Sequence, residues 1–384
     1  MPDRRPIVDL TDEEARRALV LKWGTVPQDV IPAWVAEMDY ALDPVVKAAV
    51  LQAVEDGVTG YPVFGRGDGL GAAYAGWSAR HFGWAPEPEA VRQVCDVSAG
   101  VRVAIDVLSG PGGVVFPTPG YNAQFGLATV TGREEVLLPV PADSPRAEID
   151  LDRLDRLFAG GAQTLLLTQP HNPWGRVFTR AELEGVRDVV LRHGARVVSD
   201  EIHAPLVLPG AEHVPYLSIE GTHDHAVAVV AASKAFNTAG LRCAQIIVPD
   251  AAARRRLRAE PVSRNDSWSP LGVVAAREAY EHGDPWLASL VERLDAQRTL
   301  LAGLLAEHLP LARMRPLEAT YLVWLDVSAY GHDDAAGVAL ERGRVKVGDC
   351  REFAPGSTGH VRLNIATSPE RLTEIVRRLA KAWV

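Results

Sequence analysis

Between residues 91 and 248 short apolar runs alternate with helical patterns, and this alternation restricts the fold more than any other feature. The runs lie at 91–97, 113–116, 137–140, 162–167, 195–199 and 226–232. Such lengths suit strands buried on both faces, and the helical stretches between them supply the crossovers that parallel strands require. The fold class is therefore α/β, with a mostly parallel central sheet covered by helices on both faces. In open sheets of this kind, ligand chemistry gathers beyond the C-terminal ends of the strands. Tyr121, Asn172, Asp200, His203, Ser233 and Lys234 all fall just past such ends.

Lys234 stands out among them. It sits in Ser233-Lys234-Ala235-Phe236-Asn237-Thr238-Ala239-Gly240-Leu241-Arg242, immediately after a buried run and among small residues. Burial or nearby positive charge lowers a lysine's pKa and lets its amine attack an aldehyde near neutral pH. Arg242 offers the forked donor set that clamps a phosphate. A lysine for an aldehyde and an arginine for a phosphate suit pyridoxal 5'-phosphate. The same residues also suit a loop lysine paired with an acid and an arginine on a strand edge.

Other stretches carry weaker signals. Ser98-Ala99-Gly100 reads as a turn opening a helix over 101–108, whose first amides and dipole would favour an anion. Many strand-to-helix turns have this composition and bind nothing. Two X-Pro steps in Pro170-His171-Asn172-Pro173 predict an extended loop that aims Asn172, with an Asx-type turn as the plainer reading. Thr179 and Glu182 form a capping box that opens a helix over 180–193, closed by Gly194.

Composition narrows the classes of function. With 384 residues the chain exceeds one small core, and its 47% hydrophobic and 23% charged content is that of a globular protein. A formal charge of -9 and a pI near 5.7 argue against general binding to nucleic acid or anionic membranes. Arg254, Arg255 and Arg256 read as a solvated helix face. Cys95, Cys243 and Cys350 are far apart and lack metal-ligand spacing, so neither a disulfide framework nor a metal site is expected. The first dozen residues are polar and acidic, and no apolar stretch approaches the roughly 18 residues of a membrane span. A cytoplasmic protein is the expectation.

The chain divides into an arm at 1–43 that joins a smaller domain, a large domain at 44–285, and a C-terminal α+β domain at 286–384. Within the arm, residues 31–40 read as a packed loop. Pro44 opens a helix that ends at Gly57, and Thr59-Gly60-Tyr61-Pro62-Val63-Phe64-Gly65 reads as a surface loop able to reach another subunit. A helix spans 70–82. Toward the C-terminus the patterns predict helix over 271–307, strand at 321–327, helix at 333–342, a glycine- and charge-rich loop, strand at 360–365 and helix at 369–383.

Tyr61, Gly100-Val101, Tyr121, Asn172-Pro173-Trp174-Gly175, Asp200-x-x-His203, Ser233-Lys234 with Arg242, and Arg362 in Val361-Arg362-Leu363-Asn364 follow one another in a telling order. Over nearly its whole length the chain resembles fold-type I pyridoxal-phosphate enzymes of the class I/II aminotransferase group. Within that group it is most similar to the MalY/PatB branch of cystathionine β-lyases. The branch marks are Trp34-Val35-Ala36-Glu37-Met38-Asp39-Tyr40, Pro170-His171-Asn172-Pro173, Asp200-Glu201-Ile202-His203 and Ser233-Lys234-Ala235-Phe236-Asn237.

The resemblance implies an aspartate-aminotransferase-like fold and a set of roles. Lys234 would hold the cofactor and then remove the substrate's Cα proton. Asp200 would pair with the pyridine nitrogen. Asn172, with His203 close by, would bond the phenolic oxygen, and Tyr121 would stack on the ring. Gly100, Val101, Ser233, Arg242 and, from a partner subunit, Tyr61 would hold the phosphate. Arg362 would grip the substrate carboxylate and Tyr121 would also meet the substrate, while Trp34, Tyr40 and Phe64 would line the side-chain pocket. Each has a plainer alternative: a packed histidine at 203, a surface ion pair at Arg362, a core cap at Tyr121.

Two reactions share this machinery. The first is α,β-elimination from an S-substituted L-cysteine such as cystathionine, giving thiol, pyruvate and ammonia, and the branch marks favour it. The second is transamination of a small or hydrophobic amino acid. A pyridoxal-phosphate-binding regulator is a third reading, without a DNA-binding extension in this sequence. A homodimer is expected, because the resemblance puts Tyr61 across an interface.

Overall fold

The computed structural model describes residues 4–64, 67–140 and 144–384. Gly65, assigned above to the early loop, lies outside the described residues, as do the first three residues of the arm. A short strand, β1 (Ile31–Ala33), comes first in the chain. The larger sheet holds β2 (Val91–Val94), β3 (Gly113–Thr118), β4 (Glu135–Pro139), β5 (Ala162–Thr168), β6 (Arg196–Asp200), β7 (Ala226–Val230) and β8 (Ala244–Ile247), in the order β2-β8-β7-β6-β5-β3-β4. From β3 to β7 the neighbours are parallel, whereas β8 runs antiparallel to both β7 and β2. The link from β7 to β8 carries only the short helices Ser233–Phe236 and Ala239–Leu241 rather than a long crossover helix.

Alternation along the strands explains why both faces are buried. Val198, Val227, Val229 and Ile246 enter one apolar cluster, while Val197, Ala226, Ala228 and Val230 enter the other. Successive side chains point to opposite faces, so a run that is apolar at every position needs cover on both. Because β3 lies between β4 and β5, the chain reverses its direction of travel there, and a crevice opens beyond the C-terminal ends of β3 and β5.

The smaller sheet holds β9 (Arg313–Met314), β10 (Leu322–Asp326), β11 (Val345–Asp349) and β12 (His360–Asn364), in the order β1-β11-β12-β10-β9. Two of these strands correct the sequence reading. Ile31–Ala33 is not a loop but pairs in parallel with β11, and β11 itself lies in the stretch read as a glycine-rich loop. Three residues with a proline carry no period of their own, so only the partner strand makes β1 visible. The arm also holds a helix, Asp12–Ala18, opened by a Thr11–Glu14 capping box that the sequence does contain. The long stretch at 271–307 is two helices, Pro270–His282 and Asp284–His308, broken at Gly283.

Candidate active site

Two alanines and a serine past β7, Lys234 lies in the four-residue helix Ser233–Phe236. Asn237 ends that helix in the left-handed region at φ 55°, and its side-chain amide bonds both the N–H and the C=O of Met38 at 3.1 and 2.9 Å. The arm is thereby clamped beside the lysine, and Lys234 Nζ donates to the Ala36 carbonyl at 3.1 Å. The same carbonyl accepts from Tyr321 Oη at 3.0 Å. Burial, with Arg362 nearby, pushes the Lys234 amine down to about 8, against the pull of Glu37 and Asp200. A sizeable neutral fraction at mildly basic pH is what a nucleophilic lysine needs.

Lys234 shares a cavity of about 170 Å³ with Asp200, Tyr121, Asn172, His203, Ser233 and Arg242. Asp200 ends β6 and is buried; its Oδ1 accepts from the Ile202 N–H at 3.1 Å and its Oδ2 from Gln124 Nε2 at 2.6 Å. Burial pushes its carboxyl up to about 7. His203 and His171 are buried, each with an unpartnered Nδ1, and burial pushes both down to about 3, so both rings are neutral near pH 7. His171 is stacked on Trp174 at 3.8 Å. Its loop is a tight turn rather than an extended one, since His171 and Arg176 bridge antiparallel and the Gly175 N–H returns to the His171 carbonyl.

Arg362, in the middle of β12, is almost fully buried and reaches Asn172 from the smaller sheet. Its guanidinium donates to the Trp34 carbonyl at 2.6 Å and to Asn172 Oδ1 at 3.3 Å, and lies 4.3 Å from the Phe353 ring centroid. Nε has no partner among the described residues, and burial pushes the group down to about 10, still charged at pH 7. A buried cation with a free donor is suited to an incoming carboxylate.

At the other end of the cavity the structure corrects the reading of Gly100 and Val101. The strand ends at Val94, Asp96 caps the helix, and the helix begins at Val97. The Gly100 N–H is already bonded to the Asp96 carbonyl at 2.9 Å, and Val101 lies one residue deeper. Neither lines the cavity, whereas Val97 and Ser98 do, and first-turn amides have no intrahelical acceptor. Gly100 has a packing role instead: a Cβ there would meet Val229 Cγ1 at 2.7 Å. Arg242 forms an ion pair with Asp96 at 2.7 Å, which holds its guanidinium at the start of this helix.

Several other expected residues are not in the cavity. Tyr61, expected to act across an interface and not in its own cavity, is 95% exposed on its loop. Tyr40 is buried in the core with its hydroxyl on the Thr367 carbonyl, so it is not a pocket residue. Phe64 packs edge-on against Trp268, away from the described cavity. Trp34 contributes its carbonyl to Arg362, while its ring lies under the Lys346 ammonium at 3.7 Å. Ser98, read as part of the turn before the helix, lies in the helix's first turn, and sequence reasoning missed Asp96, Val97, Gln124 and Thr168. An aspartate between a strand and an apolar helix is an N-cap signal for the first two. Gln124 and Thr168 carry none.

Comparison with known proteins agrees with this geometry. The family model described as aminotransferase class I and II matches residues 34–379. Cystathionine beta-lyase of Corynebacterium glutamicum is 36% identical, over 96% of this chain and 98% of that protein. Cystathionine beta-lyase PatB of Bacillus subtilis is 32% identical, again over 96% and 98%. Among solved structures, cystalysin from Treponema denticola, which contains a pyridoxal 5'-phosphate cofactor, superposes with a TM-score of 0.90 at 26% identity, covering 98% of both chains. The chain belongs to the aminotransferase class I and II family, in the branch that holds these cystathionine β-lyases.

Proposed function

We propose that this chain is a pyridoxal-phosphate-dependent carbon–sulfur lyase that cleaves L-cystathionine or related S-substituted L-cysteines by α,β-elimination. The full-length likeness to cystathionine β-lyases supports the reaction class. One geometric observation carries it on the structural side: the Lys234 amine and the Asp200 carboxylate line a single cavity at the sheet's crevice. The residues fit pyridoxal 5'-phosphate, with an amine for its aldehyde, a carboxylate for its ring N–H, an unpartnered buried His203 nitrogen, and Arg242 with a helix start for its phosphate. When bound, that cofactor supplies an electron sink for charge developing at the substrate's Cα.

The chain's own groups then divide the work. Lys234 would take the Cα proton and hold it close to the leaving sulfur. Arg362 orients the substrate by its carboxylate, its free Nε adding a donor to a guanidinium already fixed by Trp34 and Asn172. Asn172 spends its oxygen on Arg362, which leaves its NH₂ for the phenolic oxygen. Tyr121 would cover the ring, and Ser233, Arg242 and the Val97 and Ser98 amides would hold the phosphate. Breaking Cα–H and Cβ–S releases the thiol, and water converts the remaining three-carbon fragment to pyruvate and ammonia.

The same proposal includes a homodimer. Tyr61, Val63 and Phe64 are exposed on one loop, with Leu51 and Val54 exposed on the preceding helix, an apolar surface suited to a second copy. It also includes a large domain at 44–285 and a smaller one at 286–384 joined by the arm, which the two sheets support. Three free cysteines fit a reducing, cytoplasmic location. Assay of purified protein with L-cystathionine and S-alkyl cysteines, without added keto acid, tests the function. Pyruvate and thiol in equal amounts, lost in Lys234→Ala, are expected. Turnover only after a keto acid is added, with a new amino acid formed, would establish an aminotransferase instead.

A further inference from the structure

Asp200 stands in an awkward electrostatic position. A carboxylate that is to hold a ring N–H must be an anion, yet this one is 2% exposed and adjoins the equally buried Glu201. Glu201 is itself fully engaged, accepting from Ser199 Oγ at 2.8 Å, Gln169 Nε2 at 3.1 Å, the Tyr216 N–H at 3.0 Å and His213 Nε2 at 3.2 Å. The Glu201 charge next door opposes a second one at Asp200. Among the described residues, two groups donate directly to the Asp200 carboxylate: the Ile202 N–H on Oδ1, and Gln124 Nε2 on Oδ2.

Gln124 is not free to turn. It is 4% exposed, and its Oε1 accepts from the Thr168 hydroxyl at 3.1 Å, within the last pair of the β5–β6 ladder that joins Thr168 to Asp200. With Thr168 donating, the amide nitrogen faces Asp200, where an ionised carboxylate can only accept. A protonated Asp200 would accept more weakly from both N–H groups, so these donations favour the anion. We propose that Gln124 is a positioning residue for Asp200: its amide, oriented by Thr168, holds the carboxylate ionised and aimed into the cavity, ready for a ring N–H. This rests on the cofactor reading above, but it concerns a property that the chain has without the cofactor.

The donation, together with the Ile202 N–H and the nearby Lys234 charge, lowers Asp200's affinity for a proton against the effect of burial and of Glu201. Loss of a charge-assisted bond at a buried carboxylate moves its titration by about one unit or more, equal to a tenfold change in proton affinity. Full-length wild type, Gln124→Leu, Gln124→Glu and Thr168→Val would be freed of cofactor and titrated by ¹³C NMR of aspartate carboxyls, with Asp200→Asn for assignment. Equilibrium binding of pyridoxal 5'-phosphate would be measured on the same samples. Asp200 should titrate about one unit higher in Gln124→Leu, higher still in Gln124→Glu, and by less in Thr168→Val. Cofactor affinity near pH 7.5 should fall in the same order.

A midpoint unmoved in folded Gln124→Leu and Gln124→Glu overturns the proposal, whatever their melting temperatures, because a purely structural role has no dependence on charge. Should either substitution at Gln124 fail to fold, Thr168→Val removes only the orienting hydroxyl, and an unmoved midpoint there refutes the orientation argument. Failure of wild type to bind pyridoxal 5'-phosphate would sink the cofactor reading while leaving the Asp200 titration as a test of Gln124.

Discussion

Two helical glycines should respond to the same substitution with opposite signs. Alanine in a helix interior is ordinarily favoured over glycine by about 0.5–1 kcal/mol, because glycine loses more backbone freedom on folding. Gly303 sits on the exposed side of Asp284–His308 with nothing within 4 Å of an added Cβ, so Gly303→Ala should gain that amount. Gly100 faces the sheet, where a Cβ would lie 2.7 Å from Val229 Cγ1 and 3.0 Å from Val94 Cγ2. Both valines are fully buried on laddered strands and cannot swing away, so overpacking of about 1–3 kcal/mol outweighs the propensity gain. A net loss of about 1–2 kcal/mol is expected for Gly100→Ala. With an unfolding entropy of about 2.1 cal/mol/K per residue over 384 residues, each kcal/mol shifts Tm by about 1 °C. Urea unfolding is therefore the better assay, with Tm as a check. Cofactor affinity should also fall in Gly100→Ala, because the helix it pushes outward carries Val97 and Ser98 at the cavity. If Gly100→Ala stabilises the chain as much as Gly303→Ala, the close packing of helix on sheet is wrong.

Other perturbations test other parts of the structure. Asp39→Ala strips the partner from Lys22, whose buried Nζ lies 2.8 Å from Asp39, and from Trp23 Nε1 at 2.7 Å; a loss of about 3–5 kcal/mol in urea unfolding is expected. Buried His203, held down to about 3, stays neutral in the fold while the unfolded chain takes up a proton below about 6.5, so its contribution is lost as pH falls. At pH 5 that cost is about 2 kcal/mol, and cofactor-free His203→Gln should lose about that much less stability than wild type between pH 7.5 and 5. Equal losses in both proteins would show that His203 is not buried neutral. Lys234→Ala should abolish pyruvate release while leaving the melting temperature within a few degrees.

Local pattern was enough to locate most of the sheet and the residues past its strand ends. Runs such as Ala226–Val230 are apolar at every position, which only a strand covered on both faces tolerates, and Lys234, Asp200 and Asn172 follow such runs directly. Their meeting in one cavity follows from parallel strands that all deliver their C-terminal ends to the same edge. Tertiary structure decided what depends on distant partners. Ile31–Ala33 is a strand only because Val345–Val347 lies beside it, and Gln124 matters only through a carboxylate 76 residues away. Tyr40, set beside Trp34 by the motif, is drawn into the core because its hydroxyl finds the Thr367 carbonyl there. Sequence spacing records which side chains are available along the strand ends, whereas hydrogen-bond partners and helix starts are set by which backbone and side-chain groups burial leaves to be satisfied.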